Sequence, residues 1–176
     1  MAKNIQLSNL DVAKRQLSMA VRLFFNSQDV VCTHVLVSNS HDVLKKLCKK
    51  HKIRAFIGDM DLDMVRPEKR KEFGSMMRKA QNYFKHVSET EEIFEFHYEI
   101  TQYFIWDACR LYQLLTSELV PEFSLFSVWF NYSHTDIMVL SKEQRIEMEK
   151  IKSSIEHKTL KDWWAILPYI DEFTKK

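Results

Sequence analysis

Three groups of side chains have the types and spacing to do chemistry. The segment Arg78-Lys79-Ala80-Gln81-Asn82-Tyr83-Phe84-Lys85-His86 is the richest. On a helix, Asn82 and His86 lie four residues apart and share a face, with Arg78 one turn earlier. A histidine flanked by Asn and cations can take a proton from a ribose hydroxyl while an arginine stabilises phosphate charge. Those three are the catalytic candidates, and Lys79 and Lys85 would draw an anionic ligand to the same end. The same residues also suit a plain helix C-terminus, where cations complement the macrodipole. His34 and His41 form the second group. Seven residues apart, they point to one helical face, but about 10.5 Å of rise is too far for both to ligate one zinc. They read either as ligand-binding groups in a pocket with His86 or as core histidines bonded to neighbours. The third group, Asp59, Asp61 and Asp63, has the spacing of the first calcium ligands of an EF-hand loop. Met64 stands where that loop needs glycine, and Arg70 where it needs its bidentate glutamate, so no metal site is expected.

These groups need elements to position them, and the periodicity is helical. Ser8 and Asp11 offer capping groups before a run to about Asn26. Its Ala13, Leu17, Ala20, Val21, Phe24 and Phe25 recur at three- and four-residue intervals. Asp29 is a good N-cap for a second helix to about Lys50. Two such helices joined by so short a turn must lie antiparallel. Residues 51–67 read as a connection. A third helix is predicted over Glu68–Lys85 and a fourth over Tyr98–Ser117, with residues 91–96 ambiguous between extended chain and helix. Pro121 fits the first turn of a shorter helix to about Tyr132. Ser141 opens a charged helix to about Glu156, and Pro168 should kink or end the last one, over Leu160–Phe173. The expected fold is therefore all-α, an antiparallel bundle of four long helices with shorter C-terminal helices packed on it. It should form a single domain, with a bundle core over 8–118 and a helical cover over 119–176.

Composition narrows the function. Only 2 of 176 residues are glycine, against about 7% in average usage, which excludes glycine-rich phosphate loops and most tight hairpins. Cys32, Cys48 and Cys109 are odd in number and lack a C-x-x-C pair, so they read as buried reduced thiols. No apolar stretch suggests a leader or a membrane span, and a cytoplasmic protein without cofactor is expected. Charge is uneven although the net is only +2. Residues 42–86 hold thirteen Lys/Arg against six Asp/Glu, and residues 88–122 hold eight acids against one base. That asymmetry fits an anionic partner, or simply attraction between neighbouring helices. The aromatic second half suits a core more than a base-stacking surface. The Trp163-Trp164 pair cannot bury both rings on one face, and one ring is left to cap the bundle or meet a partner.

A long helix pair followed by a helix ending in Gln81-Asn82-Tyr83-Phe84-Lys85-His86 resembles the HEPN group of four-helix domains. The same segment is also similar to one in bacterial helical proteins of no known activity. In the HEPN group, an Arg, a polar residue and a His a few positions later mark an RNA-cleaving site, usually completed across a homodimer. Asn82 and His86 match that motif, while Gln81 stands where its Arg should be and Arg78 lies one turn away. The resemblance implies a helical protein that binds RNA, a nucleotide or another phosphate-bearing ligand with little or no cleavage, in a defence or toxin–antitoxin setting. A metal-independent ribonuclease using His86 is the second reading. A module that meets a protein partner through its aromatic C-terminal region, without nucleic acid, is the third.

Overall fold

The computed structural model describes residues 4–59, 70–85, 93–135 and 141–174, and regular structure among them is entirely helical. The order is α1 (Asn9–Phe25), α2 (Val30–Lys50), α3 (Phe56–Asp59), α4 (Arg70–Lys85), α5 (Ile100–Thr116), α6 (Pro121–Ser133), α7 (Lys142–Ile155), α8 (Leu160–Ala165) and α9 (Leu167–Thr174).

Local chemistry sets the ends. Ser8 caps α1 in a reciprocal capping box with Asp11, and the Asp29 side chain accepts the Cys32 N–H at the start of α2. Between these helices Ser27 takes a left-handed φ of 51°. Its N–H donates to the Phe24 carbonyl and the Gln28 N–H to that of Leu23, closing α1 at a position glycine usually fills. Pro121 opens α6 as expected. The last predicted helix is divided into α8 and α9 at Ile166, two residues before Pro168.

Long-range bonds give the directions. Ser40 Oγ donates to the Ala13 carbonyl, so α2 folds back along α1. His34 pairs with Thr101, His41 with Asp107, and the Cys48 thiol with the Leu111 carbonyl. Both partner series rise together, so α2 and α5 run in the same direction. The tightest packing joins α1, α2, α5 and α6, whereas α4 touches α2 and α3. The reason is apolar content: α6 buries Phe123, Leu125, Phe126, Trp129 and Phe130, so it sits in the core where a cover was expected. Trp163 is buried and Trp164 half-buried, its ring 5.8 Å from that of Phe25, so both pack onto the body. Cys48 and Cys109 are buried, but Cys32, in the first turn of α2, faces solvent, contrary to expectation.

No helix among the described residues is long and apolar enough to cross a membrane.

Candidate functional site

The histidines of α2 lie inside the protein. His34 is fully buried, with Nδ1 3.1 Å from Thr101 Oγ1 and rings of Phe84, Phe96 and Phe104 around it. Its Nε2 has no hydrogen-bond partner, and burial pulls its pKa down to about 4, so the ring is neutral. Phe104 packs against both histidines, the His41 ring lying 5.3 Å from it.

His41 belongs to a buried polar network that no sequence motif announces. Asp107, fully buried on α5, accepts from His41 Nε2 at 2.9 Å and from the Ile57 backbone N–H at 2.9 Å through Oδ2. Its Oδ1 accepts from Arg110 Nε at 3.1 Å and Nη2 at 2.8 Å. Burial pushes this carboxyl up. The hydrogen bond and charge of His41, the charge of Arg110 and the Ile57 N–H outweigh it and hold the group below the usual carboxylate range. Arg110 Nη2 also donates to the Arg54 carbonyl at 2.8 Å. The network thus ties α2 and α5 to the chain that follows α2.

That chain carries the strongest local charge. From Val43 to Gly58 there are six Lys/Arg and no Asp/Glu. Lys46, Lys49, Lys50, Lys52 and Arg54 are exposed. Two of them, Lys49 and Lys50, complement the end of the α2 dipole. Lys52 and Arg54 lie past the helix, so dipole complementation does not account for them. Their backbone is set by Lys52 at φ 61°, by the Ile53 N–H on the Cys48 carbonyl, and by the broken turn of α3. There Ile57 is extended and Gly58 reaches φ 95°. A glycine is needed because a Cβ at Gly58 would meet Lys45 Nζ and the backbone disfavours an L side chain.

The last turn of α4 lies away from this end of α2. Phe84 in the last turn of α4 packs on His34, near the start of α2. The lysines at the end of α2 are roughly 20 Å further along that helix, at 1.5 Å per residue. Lys79 and Asn82 are exposed on α4. Arg78 and Lys85 are on the same helix, but their side chains, like all of His86, lie outside the described residues. So does the Asp59–Asp63 loop, whose residues 60–63 and Asp59 side chain are not described. Among the described residues no His/Cys/Asp/Glu group could hold a metal ion.

A third cationic surface is partly neutralised. Lys14, Arg15 and Arg22 of α1 line an open groove of about 520 Å³ with Trp164. Lys14 is paired with Glu118 at 2.6 Å, and Glu122 in the same groove accepts from Ser18 Oγ at 2.8 Å.

No family model, curated protein or solved structure matches the chain.

Proposed function

We propose that this is a HEPN-like bundle of helices that binds RNA, or another phosphate-bearing ligand, without efficient cleavage. The observation that carries the reading is the cationic stretch from Val43 to Gly58 at the end of α2, with six Lys/Arg and no Asp/Glu in its sequence. Four exposed lysines there, Lys46, Lys49, Lys50 and Lys52, flank a backbone tied at the Arg54 carbonyl to Arg110 and, through it, to the buried Asp107. A fixed array of cations releases counterions on binding a polyanion and needs no sequence-specific contact. Gln81 in place of the motif arginine favours binding over catalysis. A cleaving site needs its charge-stabilising cation within hydrogen-bond reach of the reacting phosphate.

The test is fluorescence anisotropy of labelled single-stranded RNA in EDTA across a salt series, with a gel reading of chain length. Wild-type protein should bind with steep salt dependence and leave the RNA intact. Changing Lys46, Lys49, Lys50 and Lys52 together to Gln should flatten the slope of log K against log salt by about 3, at about 0.7 per phosphate contact. A slope unchanged by the quadruple variant would refute the placement of the site. Cleavage that disappears in His86→Ala would replace the reading with the ribonuclease one. Absence of both binding and cleavage would leave a protein-interaction module.

A further inference from the structure

At the opposite end of α2 from the lysines, five elements leave a cleft of about 260 Å³. Its walls are Phe24 of α1, Ser27 and Gln28 of the turn, Val30 and Thr33 of α2, Tyr98, Thr101 and Gln102 at the start of α5, Trp129 of α6 and Leu160 of α8. We propose that this cleft binds a small, uncharged, bicyclic heteroaromatic molecule.

Four observations converge on that class. First, none of the ten wall residues is charged, although 28% of the chain is. An ion placed there would lose hydration with no counter-charge, so a neutral ligand is selected. Second, size limits the ligand. The cleft exceeds the roughly 150 Å³ cavity that takes one benzene and falls below the usual 300–1,000 Å³ of drug-sized pockets, which suits two fused rings. Third, the walls offer aromatic surfaces with polar groups between them. Phe24 and Trp129 meet edge to face at 4.7 Å, a geometry that leaves ring surface for a further aromatic partner. Gln102 Oε1 is engaged by His134 Nε2 at 2.8 Å, and its amide nitrogen has no acceptor among the described residues. That nitrogen is a donor for a ring nitrogen or carbonyl. Fourth, apolar side chains stand at the mouth at a solvation cost: Val30 is 45% and Tyr98 54% exposed. Ser27 and Gln28 of the turn complete the wall beside them with polar side chains.

The experiment is isothermal titration of the full chain with indole, and with indole-3-acetate and tryptamine as charged counterparts of the same ring. Two variants run alongside. Val30→Trp fills the mouth from a half-exposed position, and Gln102→Leu removes the free donor. Thermal melts establish that both variants are folded. Benzimidazole, which adds a ring nitrogen to accept from Gln102, should bind more tightly than indole, and Gln102→Leu should abolish that advantage. Indole should bind at least about tenfold more tightly than either charged analogue, and Val30→Trp should weaken it by at least about tenfold. Equal affinity for charged and neutral ligands, affinity unaltered in folded Val30→Trp, or no heat with either neutral ring would each overturn the proposal. The RNA measurements are independent, since no residue of the cleft belongs to the cationic end.

Discussion

Asp107→Asn is the most informative single change. Four N–H donors converge on the native carboxylate: His41 Nε2, the Ile57 backbone, and Arg110 Nε and Nη2. Asparagine has one oxygen, so in either orientation its NH₂ group faces one pair of donors. If it faces His41 and Ile57, two buried groups lose their acceptor. If it faces Arg110, a guanidinium loses its counter-charge, although that side chain is 33% exposed and water recovers part of the loss. At about 1–3 kcal/mol per buried group left unsatisfied, the expected destabilisation is about 3–5 kcal/mol, the range for breaking a buried pair. In a chain of 176 residues, about 2–4 °C per kcal/mol converts this to a fall in Tm of roughly 6–20 °C. Urea and thermal unfolding at pH 7, followed by circular dichroism, measure it. Because the folded pKa of Asp107 is lowered, its contribution is present above the ordinary value of 3.8 and is lost as pH falls through the folded value. Wild-type stability should therefore drop in acid more steeply than that of the variant. A destabilisation under about 1 kcal/mol would refute the view that this carboxylate fastens α2, α5 and the basic loop together.

Other perturbations test separate parts of the structure. His34 titrates at about 4 when folded and at 6.5 when exposed, so the unfolded chain binds a proton first and stability falls as pH drops from 6.5 to 4. That amounts to roughly 3 kcal/mol across the window. His34→Leu should remove this part of the slope in urea midpoints taken between pH 7 and 4.5, and an unchanged slope would contradict the buried neutral ring. Gly58→Ala should cost about 1–2 kcal/mol through its positive φ alone, read as a lower urea midpoint. Phe126→Ala, which removes a fully buried ring packed on Phe24, Phe25 and Trp129, should cost about 3–5 kcal/mol. Ile93→Ala, at a fully exposed position, should stay within about 0.5 kcal/mol in the same assay.

Much of the helical layout is local and was legible in the residues. Ser8 with Asp11, Asp29 and Pro121 mark helix starts because a cap or an N-terminal proline satisfies or removes backbone donors within one turn. Three- and four-residue spacing put Ala13, Leu17, Ala20 and Val21 on the inner stripe of α1, and all four are buried. The seven-residue spacing of His34 and His41 likewise placed them on one face. What that face meets was not legible. Asp107 and Arg110 read as one acid and one base in an acidic stretch, because their partners lie 66 residues away at His41 and 56 away at Arg54. The basic run of 42–86 looked continuous because charge counting has no direction; folding puts the lysines at one end of α2 and Phe84 of α4 near the other. The neutral cleft had no signal at all, since five elements contribute to it and no two of its walls form a motif. Capping, periodicity and composition act within a few residues and are carried by the sequence itself. Which helices pack, which run together, and which buried donors share a carboxylate depend on the apolar area that each arrangement removes from water, and only the tertiary structure decides that.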